Sequence, residues 1–294
     1  SRCRRAPASF YLRRRPCKAA RDDGAFDARC RSCKIESGPE QPRARGVEAV
    51  RSMTLITLPS VDLLGMRLAR VDEDGLLDHL FGELKHGRGG WLVTANLDFL
   101  RRYAKEPEMR ELYASADLTV ADGMPLVWAS GILGTPLPER VAGSALIYRF
   151  AERAAREQRS LFLLGGDPGA GEGAARELCA RYPGLRIAGH AAPRFSATPT
   201  QAELAPVIDA LRGQFPATWM VGVGISFSFV AGTVARAPSW MRKCGLEWIH
   251  RLAQEPKRLA RRYLIEDLPF AAELFARVIW TRTSRPHERG SARR

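Results

Sequence analysis

The 294-residue chain contains no run of eighteen apolar residues free of charge; the nearest approach, Leu268–Trp280, is short and carries Glu273 and Arg277. A helix crossing a bilayer needs about 20 such residues, so an ordinary membrane span is not expected. Cysteine is scarce, six in all and scattered, which argues against a disulfide scaffold and makes a reducing compartment the default. Cys30 and Cys33 have CxxC spacing, but no second CxxC or His pair follows at a zinc-like interval. No Gly-Lys-Ser/Thr phosphate loop is present, and the one glycine-rich turn departs from G-x-G-x-x-G with no acid at the end of the next strand. A P-loop NTPase and a hydride-transfer enzyme are both disfavoured. His190 and His250 stand apart from any acid and Ser at useful spacing, so a Ser/His/Asp hydrolase has no support.

What is present is enough apolar surface, 45% of residues, for one large domain or two small ones with a buried core. The formal charge of +14 sits entirely at the ends. Residues 1–52 hold 14 Lys/Arg against 6 Asp/Glu, residues 236–294 hold the same numbers, and residues 53–235 hold 18 against 20. Basic ends on a neutral middle favour an anionic partner (nucleic acid, acidic lipid or a phosphate-bearing substrate) or are simply solvated Arg-rich tails.

Residues 1–52 show arginine clusters at Arg4–Arg5 and Arg13–Arg15 and no sustained apolar period, and read as a disordered basic extension. Ala8–Leu12 is too short for the apolar region of a signal peptide. Met53 directly precedes the first credible strand, so translation is expected to begin naturally near Met53, with 1–52 a non-native or wrongly assigned extension. From Met53 strand-like and helix-like segments alternate. Strands are expected at 54–58, 61–63, 90–94, 118–121, 160–164, 185–190 and 218–223, and helices at 72–84, 97–103, 107–114, 124–133, 144–158, 171–182 and 201–212. This predicts an α/β fold, a doubly wound, mostly parallel sheet over 53–235. Residues 236–294 read as a C-terminal basic helical appendage in which Trp240, Leu246, Trp248, Ile249 and Leu252 are interleaved with arginines; a last helix packed on the core is the plainer alternative.

Ligands of such sheets bind at the carboxyl ends of the strands. Thr94 and Asn96 follow one strand and serve either as a helix cap or as ligand hydrogen-bonders. Asp122 follows another, with Gly123 behind it, and is either an N-cap or a general base. Gly165 and Gly166 open the glycine-rich turn, whose amides could cradle a diphosphate. Arg140 is either an anion clamp or half of a surface salt bridge.

Taken together, the runs 94–96, 121–129, 139–144, 163–166, 222–232, 236–242, 245–248, 251–252 and 255–256 resemble the WecG/TagA/CpsF glycosyltransferases, with the motifs in the same order from about Met53 to Tyr263. The resemblance implies a Rossmann-like core with a membrane-docking appendage that closes over the site. It also implies an inverting hexosyltransferase that moves an N-acetylmannosamine-type sugar (or the uronate) from a UDP donor to undecaprenyl-diphosphate-linked GlcNAc. Such enzymes serve teichoic acid, common antigen or exopolysaccharide synthesis at the cytoplasmic face of the bacterial plasma membrane. By position, Asp122 corresponds to the catalytic base, Thr94, Asn96 and Arg140 to the pocket, and Gly165 and Gly166 to the nucleotide side. Arg251, Arg258 and Arg261 correspond to the appendage arginines that meet a diphosphate. No metal and no cofactor are implied; the partners are the donor, the polyprenyl-diphosphate acceptor and an anionic membrane surface, with no nucleic acid, and a homo-oligomer is left open.

One departure stands out. Family members carry a further strand, a Gly-Pro-Gln-Glu type loop and a helix where Leu211–Ala217 here joins two elements directly, so roughly twenty-five residues, the usual size of such a unit, are expected to be missing. That leaves two alternatives: a catalytically impaired member that binds nucleotide sugar or membrane, and a nucleic-acid binder using the basic tails, though no zinc finger or RNP motif is present.

Overall fold

The computed structural model describes residues 58–193, 196 and 199–284. The expected basic extension, the start at Met53 and most of the strand expected at 54–58 lie outside these residues. The first element is a hairpin that the sequence pattern conceals: β1 (Ser60–Leu63) pairs antiparallel with β2 (Met66–Ala69). Its two turn residues, Leu64 and Gly65, have φ of 54° and 88°, the double left-handed conformation of a type I′ turn. Leucine is an unusual first residue there, and Asp62 Oδ1 secures the turn by accepting from the Gly65 amide at 2.9 Å.

Then follow α1 (Glu73–Lys85), β3 (Gly90–Ala95), α2 (Leu97–Lys105), α3 (Pro107–Ala114), β4 (Leu118–Ala121), α4 (Met124–Leu133) and α5 (Gly143–Arg156). Next come β5 (Ser160–Leu164), α6 (Ala170–Arg181), β6 (Arg186–Ala191), α7 (Gln201–Gln214), β7 (Trp219–Val221) and α8 (Ser226–Val230). The appendage holds α9 (Ser239–Lys243), α10 (Glu247–Gln254), α11 (Pro256–Ala260), a π-helical turn at Arg261–Asp267 and α12 (Leu268–Ser284). The starts of α3 and α4 are legible because each has Pro in its first turn, and α4 stops where Gly134 adopts φ 88°.

β3 is the axis of the core. All six of its residues are buried, and it lies between β4 and β7 in a parallel sheet of order β4–β3–β7. Alternation sends Trp91, Val93 and Ala95 to one apolar cluster and Leu92 to another on the opposite face. The chain feeding β7 can approach this strand only because position 89 is glycine: a Cβ there would stand 2.3 Å from the Thr218 backbone.

The expectation of one continuous sheet is corrected by the structure. β5 and β6 form a second parallel pair, not bonded to the first, so the parallel strands fall into two sheets. α7 packs beside the first sheet, with Leu204, Ala205 and Ile208 against its apolar cluster. Arg212, near its C-terminal end, donates to Ser115 O at 2.8 Å and to Asp117 Oδ2 at 2.6 Å, fixing α7 beside α3, and only four residues separate α7 from β7. One face of β5–β6 packs through Leu163 against α5, α6 and α8; the other leaves Phe162 57% and Leu164 37% exposed. Parallel sheets are ordinarily covered on both faces.

The appendage is held to the core by its last helix. Phe270, Leu274 and Val278, spaced four apart, are buried in the same cluster as Leu126 and Ala129 of α4. A second attachment is ionic. Asp98 of α2 pairs with Arg101 at 2.7 Å and, across to the π-helical turn, with Arg262 at 3.2 Å. Burial and the nearby Asp98 push the Asp267 carboxyl up to about 6, with Arg262 and Arg101 opposing. The last helix is thus packed on the core by one face and leaves Leu268, Ile279 and Trp280 exposed on the other. No helix among the described residues is long and apolar enough to cross a membrane.

Candidate active site

Asp122 stands one residue beyond β4, at the carboxyl end of the sheet. Its amide donates to Ala95 O at 2.7 Å, prolonging the β3–β4 ladder, and its Oδ2 accepts from the Gly143 amide at 3.0 Å, the first residue of α5. The residue keeps some surface open to solvent, while the carboxylate itself is ringed by protein. Burial pushes its pKa up to about 7; the Gly143 hydrogen bond, Arg140 and Arg251 pull the other way, and Glu247 adds to the rise. Oδ1 accepts no hydrogen bond among the described residues. The carboxyl group thus has one oxygen committed to the backbone and one available for a proton.

Three strand ends meet at this point. A Cβ on Gly143 would stand 3.1 Å from Gly222 O, beyond β7, and 3.2 Å from Thr94 Oγ1 on β3. Thr94 Oγ1 donates to Gly222 O at 2.6 Å, joining β3 to the loop after β7. Asn96 caps α2, its Oδ1 accepting from the Phe99 amide at 3.2 Å. Arg140 lies on the loop that Val141 ties to Ala121 O at 2.9 Å, and pairs with Glu247 of the appendage at 3.2 Å. Core and appendage are therefore joined by an ion pair whose two members both act on Asp122.

The structure brings Thr94, Asp122, Arg140 and Arg251 into one neighbourhood. Gly165 and Gly166, with φ of 98° and 84°, form the turn after β5, where Gly166 lies against the Phe227 ring of α8 and Asp167 accepts from Ser228. Arg258 and Arg261 are not placed with Asp122: the first pairs with Glu255, and the second, 83% exposed, with Glu266 at 3.3 Å. Four contributors have no signal in residue spacing, because their roles arise from tertiary approach: the Gly143 amide, Gly222 O, Glu247 and Arg236, whose Nη2 donates to Ser144 Oγ at 2.9 Å. A cavity of about 270 Å³ lies elsewhere, between α2 and α12, lined by Arg101, Glu266 and Phe270 among others. Its lining includes none of the groups around Asp122. Among the described residues, no cluster of three His, Cys, Asp or Glu side chains could hold a metal ion.

The chain is a glycosyl transferase by family. Residues 61–212 and 198–284 match the model of the glycosyl transferase WecG/TagA/CpsF family, with 198–212 included in both stretches, and the chain belongs to that family. It is similar to the N-acetylglucosaminyldiphosphoundecaprenol N-acetyl-beta-D-mannosaminyltransferase of Bacillus spizizenii, at 28% identity over 228 residues, 71% of this chain and 87% of the relative. It is likewise similar to the protein of the same name from Bacillus subtilis, at 27% identity over 191 residues, 59% of this chain and 75% of the relative.

A raised carboxyl pKa has a definite sign in stability. Between about pH 4 and pH 7 the folded state binds the Asp122 proton more tightly than the unfolded state, so this group's contribution falls as pH rises through that window, and above it the buried charge is a standing cost. Asp122→Asn keeps the acceptor for Gly143 and removes the charge. It is expected to melt higher than wild type at pH 8, with the gap closing toward pH 5, as read by calorimetry; a lower melting temperature at pH 8 would contradict the burial argument.

Proposed function

We propose that this chain transfers an N-acetylmannosamine-type sugar from a UDP donor to undecaprenyl-diphosphate-linked GlcNAc, with inversion at the anomeric carbon. The observation that carries the reading is Asp122, a carboxylate at the carboxyl ends of the strands, half ionised near neutral pH and flanked by guanidinium groups. The names of the two Bacillus relatives supply the sugar and acceptor. Oδ1 of Asp122 takes the proton from the acceptor hydroxyl as that oxygen forms its bond to the anomeric carbon. The bond from that carbon to the phosphate oxygen breaks on the opposite face, which inverts the centre, and UDP departs with the electron pair. Negative charge growing on the leaving diphosphate is met by arginine, Arg140 and Arg251 in first place. Thr94 and Asn96 line the acceptor side, Gly165 and Gly166 the nucleotide side, and Arg258 and Arg261 act at the lipid diphosphate.

The test is UDP release from UDP-N-acetylmannosamine in the presence of a short-chain GlcNAc-diphosphate lipid. Release is expected to need both substrates, to fall at least a hundredfold in Asp122→Asn, and to show kcat/KM rising with pH through an apparent pKa of about 7. Turnover undiminished in the variant would remove Asp122 from the chemistry.

We further propose that the chain works at an anionic membrane surface on the cytoplasmic side. Supporting this, Leu264, Ile265, Leu268, Ile279 and Trp280 of the appendage are exposed beside Arg261, Arg277 and Arg282, the composition of a surface-lying amphipathic element. Ile265→Ser with Trp280→Ala is expected to reduce sedimentation with phosphatidylglycerol vesicles severalfold and leave UDP binding unchanged. Equal sedimentation of variant and wild type would sink the idea.

We also hold that the core is Rossmann-like and that one strand-loop-helix unit is absent between α7 and β7. The bare face of β5–β6, the missing bond between β5 and β7, and the double match of 198–212 all support this, α7 standing where two helices are expected. Inserting the corresponding segment of the Bacillus spizizenii relative after Arg212 is expected to raise the melting temperature and tighten donor binding. No gain in either would count against the deletion.

A further inference from the structure

Around Asp122 the cations outnumber the anions. Arg140 and Arg251 act on Asp122 itself, and Arg140 and Arg242 act on Arg236; the carboxylate that faces both groups is Glu247. Glu247 is engaged with Arg140 at 3.2 Å. Among the described residues, Arg236, Arg242 and Arg251 form no ion pair. Arg242 donates its Nε to Ala237 O at 3.2 Å, whereas the Nε atoms of Arg236 and Arg251 are buried without any acceptor.

An unpaired guanidinium withdrawn from water is costly, and its cost is offset only when a counter-charge arrives. Burial, with Arg242 and Arg140 nearby, holds the Arg236 guanidinium below the usual arginine range. The group is nonetheless held in place: Nη2 donates to Ser144 Oγ at 2.9 Å, a neutral acceptor that fixes the fork without satisfying its charge. Ser144 directly follows Gly143, whose amide holds Asp122. Asp122 and this cation are therefore anchored at consecutive residues of α5, about 3.8 Å apart along the chain. In a sugar diphosphate, the anomeric carbon is bonded directly to a phosphate oxygen. A group that acts on the first must lie within a side chain's reach of groups that bind the second.

We propose that Arg236, fixed by Ser144 of α5, is a binding residue for the diphosphate of the donor, completing from the loop between α8 and α9 a site to which α10 contributes Arg251. The inference deepens the transferase reading and rests on it for the identity of the ligand. A diphosphate fits better than a carboxylate because several guanidinium groups are left uncompensated and the planar fork matches a phosphoryl group bidentately. Arg236 lies on the loop between α8 and α9, outside the appendage arginines that the sequence singled out. It touches the ligand that leaves rather than the hydroxyl that attacks.

The probes are UDP and inorganic pyrophosphate, on the full chain. Both are expected to raise the melting temperature of wild type and of Asp122→Asn, while Arg236→Gln loses this response and its Kd for UDP rises at least tenfold. Arg236→Lys, which retains a cation and a donor for Ser144, is expected to fold as wild type does and to raise the donor KM severalfold with the acceptor KM unchanged. Retention of wild-type UDP and pyrophosphate responses in a folded Arg236→Gln would overturn the proposal, and so would a rise confined to the acceptor KM in Arg236→Lys. Turnover that requires Asp122 while Arg236→Gln still binds UDP normally defeats the proposal and leaves the transferase standing. Arg236-dependent pyrophosphate binding without turnover in wild type supports the anion site and defeats the transferase instead.

Discussion

The hydrogen bond from the Gly143 amide to Asp122 Oδ2 joins the end of β4 to the start of α5, and most of the site follows from it. It aims one carboxylate oxygen into the backbone and leaves the other without a hydrogen bond among the described residues, which divides the group into an anchored half and a free half. It also favours glycine at 143, because a Cβ there would stand 3.1 Å from Gly222 O and 3.2 Å from Thr94 Oγ1, so the neighbours would have to give way. Through Thr94 the same junction binds the third strand end. A base whose pKa is raised by burial is only as well defined as the packing that buries it, and here three strand ends and one helix start share that task.

The electrostatics of the junction favour ligand over free protein. Burial opposes the Asp122 charge, while the surrounding arginines favour it, and the balance lies near neutrality. The arginines in turn are undersupplied with carboxylates, apart from the pairing of Arg140 with Glu247. Such a site is a poor contributor to stability and a good receptor for anions, the usual relation between a site poised for function and the fold that holds it. Because Glu247 and Arg251 belong to the appendage, the charge balance of Asp122 depends on α10 being in place.

Much of this was legible in the residues. The boundaries of α3 and α4 coincide with expectation because Pro and Gly punctuate them, and Asp122 could be singled out because a strand end followed by glycine is a place with chemical consequences. The hairpin of β1 and β2 was hidden because Leu64 takes a left-handed conformation normally left to Asn or Gly. The division of the sheet was hidden for a different reason: strand pairing is a property of the whole chain path. The segment 201–212 reads as the same helix whichever sheet it covers, and tertiary contacts place it: Arg212 with Ser115 and Asp117, and Leu204, Ala205 and Ile208 against the cluster of the first sheet. Arg236 was invisible as a site residue because charge compensation is a count over neighbours, and its neighbours come from α5, α9 and α10.

The charge map also takes on a different meaning once side chains are placed. A surplus of 14 basic residues over 6 acidic ones in 236–294 suggested a uniformly cationic appendage. In the fold that surplus is partitioned. Arg258, Arg261 and Arg277 are paired with carboxylates of the same appendage, and Arg262 with Asp98 of the core. The exposed pairs of Arg258, Arg261 and Arg277 contribute little to stability and are weakened by salt, whereas Arg262, whose partner Asp98 is buried, belongs to the attachment of the appendage to the core. Among the described cations without a carboxylate partner, Arg251 acts on Asp122 itself, and Arg236, with Arg242 beside it, is bonded to Ser144 next to Gly143. Net charge alone cannot separate these two populations. Partnering does, and the division fits the two proposals made above, a compact anion beside Asp122 for the inner group and a diffuse anionic surface for the outer one.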